Sequence, residues 1–302
     1  MKKTKKRCIS WMMTKMDFYT TDNYNKELEK YINDNNYQRL NYFVMTHTAS
    51  KCKTDMFLQS SIKHTLLKQY IVFEEDTINA EKDGPTTNIV VSRKRSFEAA
   101  KAYMGKKVAV LNFANNHSPG GAPYSAGAQE ESLCRTSTLY ECLLNETDSF
   151  YEYHKRLYDT GKITNWGNDD LIYSPEIVVF KTDESAPMLM DQKDWYKVDV
   201  ITCAAPEFRG IYHGQHSFDW RTRGGLKRLR KVFEVAKKEK VEVLILGAWG
   251  CGAFGNPPID VALAFKELCN EYCFDTIEFA IDCSRGSTQN FDVFNDVFKN
   301  IK

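Results

Sequence analysis

Two adjacent glutamates that follow a glycine-rich segment are the residues best suited to chemistry in this sequence. The segment "GGAPYSAGAQEESLCRTSTLY" runs from Gly120 to Tyr140, and Glu130 and Glu131 stand near its centre. Neighbouring residues on a helix point about 100° apart, so the two carboxyls cannot face each other across one bond. One of them can face a ligand while the other braces it or stabilises the helix start.

Two glycine-rich loops each follow a buried strand. The first follows "KVAVLNFA", and the second, "WGCGAFGNPP", follows "VEVLILGA". Such loops expose backbone N–H groups at the positive end of a helix dipole and bind phosphate, although neither matches GxxxxGK[ST] or GxGxxG. In a parallel sheet both loops lie at one edge, where a diphosphate can contact both. The alternative is that the glycines only form tight turns.

A ligand that reaches past its phosphates explains why acids follow the first loop. A ribose with its hydroxyls and a glycosidic oxygen would give a carboxyl something to hydrogen-bond or protonate. A general acid must be protonated near neutral pH, and the negative charge of a neighbouring diphosphate favours protonation.

Strands and helices alternate from about residue 88 onward. This pattern predicts an α/β fold, a three-layer α/β/α sandwich with a mixed, largely parallel central sheet. The earlier residues are polar and contain two helical segments, "NKELEKYINDN" and "MFLQSSIKHTLLKQY". We therefore expect residues 1–85 to be a mostly helical extension packed on a catalytic domain at 86–302.

The composition excludes several classes of protein. The chain has 302 residues with 41 Lys+Arg against 40 Asp+Glu, a balance that argues against a domain-wide basic surface for nucleic acid. Nine cysteines without paired CxxC spacing predict reduced thiols in an intracellular protein. No apolar run reaches ~18 residues, so we expect no membrane span. A cytoplasmic location is expected, with a nuclear one if the source is eukaryotic.

A metal site is weakly indicated. Cys269 and Cys273 lie one helical turn apart, and His213 and His216 form an HxxH. No second ligand pair has the spacing of a zinc site, so we predict no metal.

Several segments of the sequence resemble those of a known family. "LNFANNHSPGG…GAQEESLCRTSTLY" is similar to the signature of the microbial-type poly(ADP-ribose) glycohydrolases, which have a macrodomain fold. "VDVITCAAPEFR" and "LILGAWGCGAFGNPP" agree in order and character, and the resemblance covers roughly residues 86–300. It implies hydrolysis of the ribose–ribose O-glycosidic bonds of poly(ADP-ribose), mainly from chain ends, to release ADP-ribose. It implies no metal and no cofactor.

The resemblance also implies roles for single residues. Glu131 would protonate the leaving oxygen and then activate water on an oxocarbenium-like intermediate, while Glu130 would hold the neighbouring ribose hydroxyls. Gln129 would support the helix start, and Asn115 would bind a ribose hydroxyl. Phe254 would press on the ligand and help set its bent conformation. The other expected ligand contacts, in the two loops, are Gly120, Gly121, Ala122, Gly250, Cys251, Gly252 and Ala253.

One departure from the family pattern concerns the first loop. The family usually carries three consecutive glycines, but here Ala122 and Pro123 follow two. If Ala122 had to adopt a positive φ, its Cβ would cost about 1 kcal/mol. The departure therefore concerns the efficiency of the enzyme and its preference for polymer length rather than its fold.

Two alternatives to polymer hydrolysis stay open. One is hydrolysis of mono-ADP-ribose on proteins or of O-acyl-ADP-ribose, and the other is a macrodomain that binds ADP-ribose without cleaving it. The paired glutamates argue against a pure binder, because binding alone needs no acid there. The expected partners are poly(ADP-ribose) or ADP-ribosylated proteins, with ADP-ribose as product and without nucleic acid or membrane. We expect a monomer.

Overall fold

A seven-stranded sheet organises the chain in a computed structural model, which describes residues 20–164, 167–208, 224–284 and 286–299. The strands lie in the order β1-β4-β5-β3-β6-β7-β2, and β4 runs antiparallel to both of its neighbours while the other pairings are parallel. In chain order they are Tyr70–Val72 (β1), Ile89–Ser92 (β2), Val108–Phe113 (β3), Leu171–Val179 (β4), Tyr196–Cys203 (β5), Val243–Leu246 (β6) and Thr276–Ala280 (β7).

Helices cover both faces of this sheet, so the predicted three-layer α/β/α architecture is confirmed. A π-helical turn at Thr147–Tyr151 and a 3₁₀ turn at Gln192–Asp194 supplement them. The α-helices are Thr21–Asn33 (α1), Tyr37–Thr54 (α2), Met56–Lys68 (α3), Ser96–Lys101 (α4), Gln129–Thr136 (α5), Leu139–Leu144 (α6), Glu152–Asp159 (α7), Gly225–Lys238 (α8), Pro258–Glu271 (α9) and Gln289–Phe298 (α10).

Side-chain alternation along the strands builds two separate cores. In β3, Val108 and Val110 pack with α4, α5 and α6 on one face, whereas Ala109 and Leu111 pack with α8 and α9 on the other. Because both faces are buried, the strand is an uninterrupted apolar run in the sequence. Across the described residues, no helix has the length and apolarity that a membrane span needs.

The segment after the first glycine loop differs from the single helix that its sequence suggests. It breaks at Ser137 into α5 and α6. The Ser137 hydroxyl donates to the Leu133 carbonyl (2.7 Å) and accepts from the Leu139 N–H (3.1 Å). Its backbone is extended and bridges Val179 at the end of β4. Pairing with the sheet therefore overrides the local helical preference.

Helix α2 was not identified from the sequence, because polar residues are buried along it. Asn41, His47, Thr48 and Ser50 are all at most 8% exposed, so the helix lacks an apolar stripe opposite a polar one. Together with α1 and α3 it forms a third apolar cluster against Val178 and neighbouring residues at the end of β4. The N-terminal helices therefore pack directly on the sheet.

A fully buried lysine joins α2 to the segment after β4. The Lys181 Nζ donates to the Val44 carbonyl (2.8 Å) and the Thr48 hydroxyl (2.7 Å), and it lies 4.8 Å from the Tyr24 ring centroid. Burial lowers the pKa of Lys181 well below its ordinary value. A neutral amine has two N–H donors, which matches these two acceptors.

This arrangement predicts an unusual pH dependence of stability. Because the unfolded chain binds a proton at Lys181 that the folded chain rejects, wild type should gain stability relative to Lys181→Met as the pH rises. The gain should be roughly 1.4 kcal/mol per pH unit between the folded-state pKa and ~10.4. Chemical denaturation of both proteins from pH 7 to pH 10 measures it. A constant difference between the two proteins would show that the buried lysine is charged.

Candidate active site

A pocket of about 680 Å³ lies where the carboxyl ends of the parallel strands meet. Strands β3 and β6 are neighbours in the sheet, so the two glycine loops that follow them converge as the sequence analysis expects. Of the twelve residues assigned to the site from sequence, ten line this pocket. They are Asn115, Gly121, Ala122, Gln129, Glu130, Glu131, Gly250, Gly252, Ala253 and Phe254.

Glu130 lies at the floor of the pocket and is 3% exposed. Its carboxylate accepts hydrogen bonds from the Asn115 N–H (2.7 Å) and from Asn112 Nδ2 (3.3 Å). Burial raises the pKa of Glu130 well above its ordinary value, and the charge of Glu131 adds to this rise. The side chain is thus fixed by the end of β3, and its environment favours the protonated form.

Glu131 holds the first glycine loop with one oxygen and leaves the other unpaired. Its Oε1 accepts a hydrogen bond from the Ala122 N–H (3.1 Å). Its Oε2 is buried and has no hydrogen-bond partner among the described residues. An unsatisfied buried oxygen of this kind costs about 1–3 kcal/mol unless a proton or a ligand atom satisfies it.

Gln129 joins the start of α5 to the last residues of β3. Its Oε1 accepts from the Phe113 N–H (2.9 Å), and its Nε2 donates to the Leu111 carbonyl (2.8 Å) and the Ser96 hydroxyl (3.0 Å). All of its hydrogen-bonding groups are therefore used inside the protein, and the side chain fixes the position of the two glutamates that follow.

The first glycine loop requires positive φ at two residues but not at the third. Gly120 (φ 66°) and Gly121 (φ 64°) adopt left-handed conformations, and Ala122 does not. A Cβ on Gly121 would lie 2.5 Å from Glu131 Oε1. The backbone strain considered for Ala122 is therefore absent, because the left-handed conformation ends at Gly121.

Helix α2 and α5 together hold the second half of this loop. Asn41 Nδ2 donates to the Ser125 (3.0 Å) and Ala126 (3.1 Å) carbonyls. The buried Arg135 guanidinium donates to the Pro123 (3.0 Å) and Ala126 (2.6 Å) carbonyls. Burial lowers the pKa of Arg135 to about 10, so the group stays charged at neutral pH. These charge-assisted bonds fix the loop that carries the Ala122 N–H.

The second glycine loop is packed too tightly for any side chain at one position. Gly250 has φ 71°, and a Cβ there would lie 2.3 Å from Asn256 Nδ2 and 2.5 Å from the Ala205 Cβ. Asn256 itself donates to the Gly250 carbonyl (2.9 Å) and the Pro206 carbonyl (2.8 Å). The loop after β6 is thereby joined to the segment after β5.

An arginine network forms a further wall of the pocket. Arg95 donates through Nε to Asp183 (3.0 Å), through Nη1 to Asp282 (3.2 Å) and through Nη2 to the Ser132 hydroxyl (2.8 Å). Asp183 also accepts from the Phe97 N–H (2.8 Å) and so caps α4. The Ser96 hydroxyl, at the first residue of this helix, accepts from Gln129 Nε2.

The candidate metal ligands do not form a site in the part of the chain that is described. No group of three or more His, Cys, Asp or Glu side chains is placed there to hold a metal ion. Cys269 is buried, and burial raises its pKa above its ordinary value. His213 and His216 lie outside the described residues.

Comparison with known proteins identifies the family. A family model described as the catalytic domain of microbial-type PARG matches residues 14–182, which is more than half of the chain. The chain belongs to this family. The match begins well before residue 86, where the motif resemblance begins, and so it includes the N-terminal helices. No curated protein matches the sequence at a significant level.

Solved structures of poly(ADP-ribose) glycohydrolases (PARG) from bacteria are similar to this PARG-family chain. The enzyme from Thermomonospora curvata is 27% identical, with a TM-score of 0.74 over 85% of this chain and 99% of that one. Its complex with the inhibitor ADP-HPD gives 26% identity and a TM-score of 0.71, over 85% and 98%. The enzyme from Deinococcus radiodurans in complex with ADP-ribose gives 26% and 0.66, over 80% and 98%. The interpretation of the sequence as a poly(ADP-ribose) glycohydrolase, a glycosidase, is confirmed.

Two of the residues assigned from the family pattern do not line the pocket. A Cβ on Gly120 would lie 2.8 Å from Cys134 Sγ, so this glycine packs on α5 rather than facing the cavity. Cys251 is half-buried, and its Sγ lies 3.6 Å from the Trp249 carbonyl. Contact of either residue with a ligand stays a prediction.

Several polar residues that line the pocket were not assigned to the site from the sequence. Asp183 and Asp282 come after β4 and β7, and nothing local in the sequence shows that they meet Arg95. Ser132 follows the glutamates by one residue and was assigned to the helix alone. The missed polar residues are Arg95, Ser96, Ser118, Ser132, Asp183, Asp282 and Asn290.

The second loop gives a matched pair of glycine substitutions. Gly250→Ala should lower the free energy of unfolding by ~2 kcal/mol or more, because it combines a positive φ with two steric clashes. In Gly252→Ala the added Cβ meets nothing within 4 Å, so the change should stay within ~0.5 kcal/mol. Urea denaturation of both variants measures the difference. Equal destabilisation would contradict the close packing of Gly250 on Asn256.

Proposed function

We propose that Glu131 is the general acid and base with which this glycohydrolase cleaves the ribose–ribose bond of poly(ADP-ribose). The observation that carries the proposal is the state of its carboxyl group. One oxygen is fixed by the Ala122 N–H, while the other is buried at the pocket and finds no partner in the described part of the chain. A proton on Oε2 would be directed to the leaving oxygen of a bound substrate, and the resulting carboxylate would then activate water.

Glu130 is proposed to position the substrate rather than to transfer a proton. Both of its oxygens already accept hydrogen bonds from Asn112 and Asn115, which hold the side chain at one place on the pocket floor. From there it would bond the hydroxyls of the ribose next to the scissile bond. Asn115 itself accepts the His117 (2.7 Å) and Ser118 (3.0 Å) N–H groups with its Oδ1, and we propose that its Nδ2 binds a ribose hydroxyl.

The two glycine loops are proposed to bind the diphosphate. Gly121 and Ala122 from the first loop and Gly250, Gly252 and Ala253 from the second line the same pocket. The backbone amides of the second loop and the start of α5 would supply hydrogen bonds and partial positive charge without a metal or cofactor. The Gly121 and Ala122 N–H groups already donate to the Ser118 carbonyl (3.0 Å) and to Glu131 Oε1, so the first loop would contribute its close backbone approach to the ligand. Phe254 lines the pocket too and would press on the ligand from the second loop.

The proposal also covers the domain organisation, the binding partners and the location of the protein. Residues 1–85 would be an extension packed on the catalytic domain at 86–302; in its described part Asn41 holds the first loop and Val44 accepts from Lys181. The partners would be poly(ADP-ribose) or ADP-ribosylated proteins, with ADP-ribose as product, and neither nucleic acid nor membrane. We propose a monomer that cleaves the polymer mainly from its ends in the cytoplasm.

Glu131→Gln tests the proposal, because it keeps the acceptor for the Ala122 N–H and removes the acid. Release of ADP-ribose from labelled polymer should fall by ~10²–10⁴-fold, the usual contribution of acid–base catalysis. Binding of ADP-ribose, measured by calorimetry, should stay within about threefold of wild type, since RT ln 3 is only ~0.7 kcal/mol.

The matched control is Glu152→Gln, which removes a half-exposed carboxylate in the first turn of α7 outside the pocket. It should release ADP-ribose at the wild-type rate. Equal release by wild type and Glu131→Gln would refute the role of Glu131. Binding of ADP-ribose without any cleavage by wild type would instead indicate a protein that only recognises ADP-ribose.

A further inference from the structure

Three tyrosine rings form a row beside the first glycine loop. Tyr124, in the loop, lies 5.8 Å from the ring of Tyr42 on α2 and 6.4 Å from the ring of Tyr140 on α6. Tyr42 is 42% exposed, and the other two are half-buried. We call these three residues the tyrosine row. None of them lines the pocket, so the proposed catalytic mechanism does not use them.

The row lies next to the residue that holds Glu131. Tyr124 follows Ala122, whose N–H bonds Glu131 Oε1, by only two positions. The Ala122 carbonyl accepts the N–H groups of Ser125 (3.0 Å) and Ala126 (2.9 Å), so the chain turns here instead of leading away. Tyr124 at the centre of the row is therefore part of the same turn as the residue that holds the proposed acid.

The chemistry of the polymer places a flat base at this position. In poly(ADP-ribose) the bond to be cleaved joins the terminal ribose to the 2′-oxygen of the adenosine in the next unit. The adenine of that unit is attached to the neighbouring C1′ carbon, so it stays close to the leaving oxygen. On the proposed function, the pocket of about 680 Å³ would hold the unit being released, and the leaving adenosine would then lie beyond Glu131.

We propose that the tyrosine row stacks the adenine of the leaving unit and so forms a second subsite for the polymer. The inference rests on the proposed function, because it requires a leaving adenosine at Glu131. It assigns to this surface an uncharged purine and no phosphate, since the row itself offers rings and hydroxyls.

Rigidity of the row favours such stacking. Tyr140 packs beneath the loop, where a Cβ on Gly120 would meet its Cδ2 at 2.9 Å, and its ring plane is 83° from that of Tyr124. Asn41, next to Tyr42 in the chain, bonds the two carbonyls that follow Tyr124. Because the rings are already ordered, little conformational entropy is lost when a base stacks on them.

Two of the three phenol groups are held neutral by burial, which raises the pKa of Tyr140 as well as that of Tyr124. Burial raises the pKa of Tyr124 to about 12, with smaller contributions from Tyr140 and Glu141. The rings of Tyr124 and Tyr140 thus add no negative charge beside the diphosphate of the polymer.

The test compares two substrates that share the released unit but differ in the leaving group. One is poly(ADP-ribose), and the other is ADP-ribose with an O-methyl group at C1 of its terminal ribose. For Tyr124→Ala the ratio of kcat/KM for polymer to that for the O-methyl compound should fall about tenfold, within the range for one base–aromatic stack. Tyr124→Phe should keep the wild-type ratio, because the ring is retained.

Two further variants keep the test decisive if Tyr124→Ala disturbs the loop. Tyr42→Ala changes an exposed side chain on α2 and should lower the same ratio by a smaller factor. Tyr37→Ala removes another exposed tyrosine, 67% accessible, from the start of the same helix and should leave the ratio unchanged. An unchanged ratio in both Tyr124→Ala and Tyr42→Ala would overturn the subsite. If wild type released nothing from polymer, the proposed function would fail instead.

Discussion

The hydrogen bond from the Ala122 N–H to Glu131 Oε1 joins the first glycine loop to the helix that carries the two glutamates. It closes the glycine loop on the first turn of α5 and fixes one oxygen of the carboxyl group. The bond is possible only because Gly121 has no side chain, since a Cβ there would lie 2.5 Å from the same oxygen. The glycine loop before the glutamates therefore positions the proposed acid, in addition to its proposed role in binding the diphosphate.

The elements around this bond keep it in place from three directions. Gln129 fastens the start of α5 to the end of β3, and Arg135 holds the loop from the far end of α5. Asn41 reaches the same loop from the N-terminal helices, which are themselves held to the sheet by the buried Lys181. A segment far from the glutamates in sequence therefore contributes to their geometry.

Local patterns in the sequence predicted the elements that are determined by residues close together in the chain. They missed the features that are determined by tertiary contacts. The buried strands, the two converging loops and the order of the helices follow from apolar runs and glycine positions. Helix α2 was missed because its polar residues face other protein groups, and the break at Ser137 was missed because the sheet causes it. The Arg95 network joins residues nearly 190 positions apart, which no motif reveals. The strain considered for Ala122 arose from the family pattern and is absent, because the residue does not adopt a positive φ.

The central claim is that Glu131 transfers protons at the bond between C1 of the terminal ribose and the leaving oxygen. A crystal structure with ADP-ribose tests it most directly, because the C1 hydroxyl of this product marks the position of the bond that was cleaved. The account predicts that this hydroxyl lies within about 3.2 Å of Glu131 Oε2 and satisfies the oxygen that has no partner among the residues the structure describes. A hydroxyl bound by Glu130 alone, with Glu131 Oε2 still buried and unpaired, would contradict it.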